Sequence, residues 1–277
     1  MQLKELTERI RLPKEAAEAV LEFKISDDEY REWKELFYQD MKKFLTKWKK
    51  RPDRLPWALA FYLRLSAQVY EKYQEKGISD EIFDRTFYDI TIWCKECFRK
   101  YGIYGLEEVW WLALSVKMKL FRLGRLQFEP IQLKEDMVGR QRTIPAGTEV
   151  LNVHIPEGEP LNYHACIESL RMAEQFFGGE KQIFICDSWL LSPHLEKVLP
   201  EDSNILRFQR MFEVTKVHYA FLQAEQRIFG DILEDKTSYP EDTSLRRNAK
   251  AYILAGKDLG IGLGFIEEKE YEKTKRD

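Results

Sequence analysis

One short apolar stretch of the sequence carries two polar side chains that could do chemistry. Residues 150–156 read Val-Leu-Asn-Val-His-Ile-Pro, an alternation typical of a β-strand that places Asn152 and His154 on one face. A strand inside a covered mixed sheet is usually apolar on both faces, so the pair indicates either an open cleft or a hydrogen-bonded pair in the core. In a cleft His154 would serve as a general base, because imidazole exchanges protons near neutral pH, and Asn152 would position a substrate.

Polar residues also stand at the end of a further predicted strand, residues 182–188. Asp187, Ser188 and Trp189 follow one another there, and the carboxyl ends of strands are where open α/β sheets bind ligands. We therefore predict a catalytic or positioning role for Ser188 and substrate contacts for Asp187 and Trp189.

The same side chains allow a second reaction class, hydrolysis through a nucleophile. Cys166 or Ser188 would attack the substrate, with His154 as base and Asp187 as the group that orients it. The sequence has no nucleophile-elbow motif that would hold them in that geometry. Hydrolysis is therefore the weaker hypothesis.

Two other motifs are better explained by packing than by chemistry. Cys94 and Cys97 share one face of a predicted helix, but tetrahedral zinc needs four ligands and no second pair lies nearby. The glycines between Gly260 and Gly264 are followed by no obvious helix, as a nucleotide-binding loop would require. We expect a buried cysteine pair, a glycine-rich strand that closes the sheet, and no metal site.

The composition narrows the partners that the protein could have. The 277 residues are enough for two domains, and 44 Lys+Arg against 47 Asp+Glu give a net charge of -3, without the basic excess of a nucleic-acid-binding protein. The longest apolar runs, residues 57–63 and 109–114, are too short to span a membrane. The four cysteines and the charged N-terminus suggest reduced thiols and no signal peptide. We expect a cytoplasmic protein with a small-molecule ligand, no nucleic acid and no membrane partner.

The hydrophobic periodicity divides the chain near residue 120. Residues 1–120 repeat apolar side chains every three or four positions and predict four or five helices, one of which begins with a capping box at Ser26 and Glu29. The period then changes, and strands alternate with helices. Strands are predicted at residues 126–133, 150–156, 182–188, 210–217 and 260–266. The fold class expected is a mixed one, an all-α bundle (residues 1–120) followed by an α/β domain with a mixed sheet and flanking helices (residues 121–277).

Three segments resemble a bacterial family of acyltransferase-like proteins. They are Leu-Gly-Arg-Leu-Gln-Phe-Glu at 123–129, Leu-Asn-Val-His-Ile-Pro-Glu at 151–157 and Cys-Asp-Ser-Trp-Leu-Leu at 186–191. Members of this family pair a helical N-terminal domain with a C-terminal domain of the GNAT (N-acyltransferase) type. The resemblance implies transfer of an acyl group to an amine or hydroxyl of a small acceptor. It also implies that acyl-CoA enters between the strands at 150–156 and 182–188, with its pyrophosphate at the N-terminus of the helix predicted at 162–177.

One loop departs from the GNAT pattern. The usual glycine-rich loop should lie near residues 157–163, where this sequence reads Glu-Gly-Glu-Pro-Leu-Asn-Tyr. Glu157 and Glu159 would repel phosphate, and Pro160 lacks an N–H donor. Two hypotheses therefore remain. In the first, the protein is an acyltransferase in which Glu157 recognises a cationic acceptor. In the second, it is a non-catalytic binding protein that has kept the fold and lost the CoA site.

Overall fold

The computed structural model describes residues 1–178 and 182–266, and the chain divides into two compact units. The first comprises Met1–Leu123 with Pro156–Gly158, and the second comprises Gly124–Ile155 and Glu159 onward. The first unit is helical and the second contains a mixed β-sheet, so the predicted fold class is confirmed. No helix in the described ranges is long and apolar enough to cross a membrane.

Seven helices and one short strand form the first unit. α5 and α6, each of 22 residues, are its longest helices. The elements are α1 (Leu3–Arg9), α2 (Lys14–Glu22), α3 (Asp27–Gln39), α4 (Met41–Lys49), α5 (Arg54–Glu75), α6 (Asp80–Tyr101), α7 (Val109–Val116) and β1 (Phe121–Leu123). Aromatic rings fill the interior where α3, α4 and α5 meet, as in the stacked pair Trp57 and Phe61, whose centroids lie 4.6 Å apart.

The apolar stripe that predicts one helix from Ser26 to residue 50 is divided in the structure between α3 and α4. The break falls at Asp40, whose backbone leaves the helical region (φ -144°, ψ 88°) and whose carboxylate accepts from the N–H of Lys43. The capping box is only half formed. Ser26 accepts from the N–H of Glu29, but the Glu29 carboxylate accepts instead from Arg51 and the indole of Trp57.

The second unit contains a five-stranded mixed sheet and a small hairpin. The main strands lie in the order β2-β5-β6-β8-β7, and β3 pairs with β4. The strands are β2 (Leu126–Gln132), β3 (Met137–Val138), β4 (Thr143–Ile144), β5 (Glu149–His154), β6 (Phe184–Ser188), β7 (Glu213–His218) and β8 (Ile261–Phe265). The helices are α8 (Tyr163–Phe176), α9 (Asn204–Gln209), α10 (Gln223–Phe229) and α11 (Ser244–Leu254). The hairpin lies in a stretch that the sequence predicts as turns alone.

The strand directions bring three carboxyl ends to one edge of the sheet. β5 is parallel to β6, whereas β8 runs antiparallel to both β6 and β7. The strands β5, β6 and β7 therefore point the same way, and His154, Ser188 and His218 are their last residues. The β3–β4 hairpin packs on one face of the sheet, toward the opposite edge. It belongs there to an apolar cluster that includes Val150, Ile185 and Phe265.

The predicted glycine-rich strand is confirmed as β8, and it lies between β6 and β7. Its glycines are required by close packing. A Cβ at Gly262 would overlap the backbone carbonyl of Leu191, and one at Gly264 would lie 2.6 Å from the carbonyl oxygen of Glu213. Both neighbours are backbone atoms, which cannot rotate away as a side chain can.

We predict that Gly262→Ala destabilises the second unit, because the added methyl group overpacks a backbone contact that has no room to relax. The expected loss is about 1–3 kcal/mol. The measurement is chemical denaturation followed by tryptophan fluorescence. Gly147→Ala is the comparison for backbone strain without overpacking, since Gly147 has a positive φ of 82° and open space around it, and Gly262→Ala should lose more stability than this variant does. A Gly262→Ala protein as stable as the wild type would contradict the packing argument.

Candidate active site

The ladder between β5 and β6 ends early. Its register joins only Leu151 to Phe184 and Asn152 to Ile185, although β5 continues to His154 and β6 to Ser188. The peptide groups that face each other beyond this point are free of ladder hydrogen bonds, and buried peptide groups require partners. We call the stretch beyond Asn152 and Ile185, where these two parallel strands no longer pair, the gap.

An imidazole–carboxylate pair stands beside this gap. His154 Nε2 lies 3.0 Å from Glu129 Oε2. The pairing of β2 with β5 sets Glu129 opposite Asn152 and Gln127 opposite His154, so these four polar residues share one face. The side chains of His154 and Glu129 are 22% and 19% exposed, which makes them half-buried and still accessible to a ligand.

Asn152 completes the cluster and leaves one atom unsatisfied. Its Nδ2 lies 3.2 Å from the same Nε2 of His154 that contacts Glu129. One nitrogen cannot donate to Glu129 and accept from Asn152 at once, and an ionised carboxylate forms the stronger hydrogen bond. Asn152 Oδ1 is buried and has no hydrogen-bond partner among the described residues. Such orphaned polar atoms are rare, and they often mark a place where a ligand bonds.

Asp187 and His218 form a second imidazole–carboxylate pair on the same face. His218 Nε2 lies 2.8 Å from Asp187 Oδ1. The register from Asn152 to Ile185 and the alternation along β6 put Asp187 on the face that carries His154. The predicted residues Asn152, His154 and Asp187 are thus on one face, next to the gap.

Ser188 and Trp189 are not part of this group of residues beside the gap. Ser188 points to the opposite face from Asp187, and its Oγ accepts from the N–H of Leu190, where it caps the 3-10 helix Trp189–Leu191. Trp189 is partly buried against an apolar cluster formed by residues such as Leu195 and Val198, and its backbone N–H donates to Gln223. Glu157 is exposed in its loop.

Sequence reasoning missed Glu129 and His218. Glu129 lies in a strand that was predicted, and its polar position among apolar neighbours was a usable signal. Its pairing with His154 depends on the strand register, which alternation alone does not give. His218 comes 31 residues after Asp187 and reaches it across β8.

The N-terminus of α8 combines free donors with a nearby buried cation. Asn162 caps the helix by accepting from the N–H of Ala165. Within the described parts of the chain, the N–H groups of Tyr163 and His164 have no acceptor. The guanidinium of Arg125, a buried residue, donates to the carbonyls of Glu159 and Pro160 at 2.7 and 3.0 Å.

No group of three or more His, Cys, Asp or Glu residues within the described ranges could hold a metal ion. The chemistry that these residues offer is proton transfer by imidazole and hydrogen bonding by carboxylate and amide groups. Both kinds of group lie beside the end of the β5–β6 ladder.

Solved structures with the same fold are acyltransferases. An acyltransferase in complex with decanoyl-CoA and teicoplanin has 24% sequence identity and a TM-score of 0.77, and the match covers 95% of this chain and 87% of that chain. An acyltransferase in complex with decanoyl-CoA has 23% identity and a TM-score of 0.75, with 95% and 86% covered. A mutant acyltransferase in complex with octanoyl-CoA matches at 24% and 0.77, with 95% and 87% covered. At these identities the likeness shows the fold.

Family models cover nearly all of the described chain. No curated protein matches it in sequence. Residues 1–118 match the N-acyltransferase N-terminal domain, and residues 120–266 match the GNAT-like C-terminal domain. The resemblance and the GNAT-like acyltransferase fold that the sequence predicts are therefore confirmed, and the chain belongs to the family of proteins with a GNAT-like C-terminal domain.

Proposed function

We propose that the protein transfers an acyl group from acyl-CoA to an amine or hydroxyl of a small acceptor, with His154 as the general base. One observation carries the proposal: the β5–β6 ladder ends beside the His154–Glu129 pair and the unsatisfied Oδ1 of Asn152. The family and the acyl-CoA held by structures of the same fold support it.

The gap suits the pantetheine arm of CoA. This arm is extended and contains two amide groups, so it can bond to peptide groups as a neighbouring strand would. Asn152 Oδ1 needs a donor, which an amide N–H of the arm or an N–H of the acceptor can supply. A thioester at the end of the arm would then come close to His154.

The N-terminus of α8 suits the pyrophosphate in part. The free N–H groups of Tyr163 and His164 and the helix dipole favour an anion. Glu157 and Glu159 oppose it, but both are exposed, so water and salt weaken their repulsion. The buried guanidinium of Arg125 fixes the carbonyls of Glu159 and Pro160 and adds positive charge near them.

The chemical role of His154 follows from its contact with Glu129. When Nε2–H donates to the carboxylate, the lone pair of the neutral ring is on Nδ1, and Glu129 stabilises the imidazolium that forms when the ring takes a proton. His154 removes a proton from the attacking nitrogen or oxygen, either directly or through water. The nucleophile bonds to the thioester carbon, the C–S bond breaks, and the CoA thiolate takes up a proton.

The remaining predicted residues keep subsidiary roles. Ser188 and Trp189 support the end of β6 through the 3-10 turn, and we retain Asp187 and Glu157 as substrate-contact candidates. Glu157 is exposed and could attract a cationic acceptor.

A binding protein without catalysis is the second candidate, and the acidic loop favours it. Such a protein would hold a ligand in the gap and would not depend on His154 as a base. The variants described below distinguish an enzyme from a binding protein, because only the enzyme depends on His154 as a base.

We expect decanoyl-CoA to raise the melting temperature of the protein by several degrees at concentrations well above its dissociation constant. A ligand at 100 times its dissociation constant stabilises by about 2.7 kcal/mol. Thermal unfolding followed by fluorescence is the measurement, with CoA and adenosine 3′,5′-bisphosphate as partial ligands. If neither decanoyl-CoA nor acetyl-CoA changes the melting temperature, the proposal loses its donor.

We predict that His154→Gln lowers kcat about 100- to 10,000-fold, the usual contribution of a general base, with little change in acyl-CoA binding. Glu129→Gln should lower kcat less, since it keeps the ring in place but removes the charge that stabilises imidazolium. Free thiol release from acyl-CoA measures the rate. His194→Gln is the matched control, because the ring of His194 is partly buried and bonds to Tyr219 and not to His154 or Glu129. A His154→Gln enzyme with full activity would favour a different base.

The raised pKa values of the cysteine thiols argue against the hypothesis of a hydrolase with a cysteine nucleophile. Burial raises the pKa of Cys166 to about 11, and the nearby Arg125 charge lowers it only in part. Burial likewise raises the pKa of Cys97 to about 11 and that of Cys94 to about 12. These groups are protonated thiols at neutral pH, whereas a nucleophilic cysteine must be a thiolate.

We therefore expect a thiol reagent such as dithionitrobenzoate to react slowly with the native protein at pH 8 and to label all four cysteines quickly in denaturant. Absorbance of the released thiolate measures both reactions. Rapid labelling of one thiol in the native state would restore Cys166 as a candidate nucleophile. Iodoacetamide labelling and peptide mapping would identify it.

A further inference from the structure

β7 is the outermost strand at one end of the sheet, and a groove follows the side of it that faces away from β8. In the described parts of the chain β8 is the strand that pairs with β7, and no backbone hydrogen bond joins residues 213–218 to any other element. Alternate peptide groups of an edge strand point away from its partner, so they bond to water or to another chain. The groove beside them has a volume of about 740 Å³.

The groove has a wall on each face of the sheet. The turn of the β3–β4 hairpin contributes Arg140 to one wall, and the short 3-10 helix Pro193–Lys197 contributes to the other. The hairpin packs on the face that carries Phe265, whereas Leu191, which precedes the 3-10 helix, contacts Gly262 on the opposite face. The free edge of β7 therefore lies between two walls.

The size of the groove suits one extended chain. Residues 213–217 of β7 line it, and five residues of a strand span about 17 Å. Its volume is in the range of sites that enclose a single ligand, about 300–1,000 Å³. A peptide that binds to the exposed edge of a sheet adds a strand to it, and main-chain hydrogen bonds supply much of the affinity.

A second copy of the chain fits this edge less well than a peptide does. Pairing of two β7 strands at the usual spacing of about 4.8 Å would also bring the walls of both copies together. β7 has a bulge between Val214 and Lys216, and the side chain of Lys216 is 57% exposed. Bulges and edge lysines discourage pairing between identical sheets. A peptide has no walls of its own and can follow the twist of a bulged strand.

The charges at the groove favour an acidic peptide. Its lining contains three cations and two carboxylates, namely Arg140, Arg210 and Lys216 against Glu196 and Glu213. Glu213 is 13% exposed and accepts from the backbone N–H of Arg140, whose guanidinium is 90% exposed. Arg210 is exposed, and its side chain has no hydrogen bond or ion pair with the described residues. Lys216 pairs with Glu135 at the surface, where such a pair contributes little. The cations are thus more available to a partner than the carboxylates are.

We propose that the free edge of β7 is an interaction site for an acidic peptide segment of a partner protein, which adds to the sheet as a further strand. The main chain of the peptide bonds to the outward peptide groups of β7. Its carboxylates bond to Arg140 on one wall and to Arg210 on the other. Because β8 separates β7 from β6, this site is distinct from the gap, and the proposal does not depend on acyl transfer.

The first test is a selection of random octapeptides displayed on phage against the immobilised full-length protein. We expect the enriched peptides to contain several Asp or Glu residues and no central proline, since proline cannot donate to a ladder. Fluorescence anisotropy then measures the affinity of a synthetic enriched peptide, which should fall as the salt concentration rises. N-methylation of every second peptide nitrogen should weaken binding on the order of 10-fold in one register and little in the other, because only alternate N–H groups face β7.

Charge reversal tests the side chains at the rim. Arg210→Glu should weaken binding of the peptide about 3- to 10-fold, and the double variant with Arg140→Glu should weaken it further. Arg207→Glu is the matched control, because Arg207 is exposed in the last turn of α9 but does not line the groove. The peptide should also slow amide hydrogen exchange at residues 213–218 of the wild-type protein.

Four results would overturn the proposal. The first is a selection that enriches no peptide or enriches basic ones. The second is a peptide that binds Arg210→Glu and Arg207→Glu equally well. The third is equal binding of the two N-methylated forms, which would exclude strand addition. The fourth is a dimer, seen by light scattering, that Arg210→Glu dissociates, since it would assign the edge of β7 to a second copy of the chain.

Discussion

The early end of the β5–β6 ladder is the constraint on which the candidate site depends. A sheet satisfies its peptide groups by pairing them, and a place where two neighbouring parallel strands stop pairing must bond to water or to a ligand. The same strand directions bring the carboxyl ends of β5, β6 and β7 to one edge. His154, Asp187 and His218 therefore lie at the edge of the sheet where this ladder ends.

Alternation of apolar and polar residues predicts which face of a strand a side chain is on, but not which strand lies beside it. A period of two is enough to put Asn152 and His154 together, because both are in one strand. The partners Glu129 and His218 come from other strands, 25 residues from His154 and 31 residues from Asp187, and which residue opposes which depends on register. Register is set by bulges, by turn lengths and by packing across the whole sheet. The sequence thus predicts about half of the polar groups of the site, but not which of these groups pair with each other.

Helix prediction in the first unit has a similar limit, because it also misses interactions between residues that are distant in the sequence. The cap at Ser26 is predictable because a cap depends on a few consecutive residues, and Ser79 caps α6 in the same way. The break at Asp40 was not, because the apolar stripe continues through it and only the Asp40 cap and the packing of α3 on α4 separate the two helices. Glu29 leaves its cap for Arg51 and Trp57, which are distant in the sequence. Capping rules that use only neighbouring residues fail where a residue distant in the sequence offers the side chain a better hydrogen bond.

The acidic loop would weaken the binding of a phosphate group without preventing it. The N–H groups at the start of α8 have fixed directions, and Glu157 and Glu159 are exposed, so water screens their repulsion of an anion. Repulsion between charges in water decays over about 8 Å at physiological salt. Arg125 is buried, and its guanidinium donates to the carbonyls of Glu159 and Pro160 in the loop. A loop that is acidic at the surface and bonded to a buried cation beneath is therefore compatible with the anion site proposed at α8, because the exposed carboxylates oppose the anion less than buried ones would.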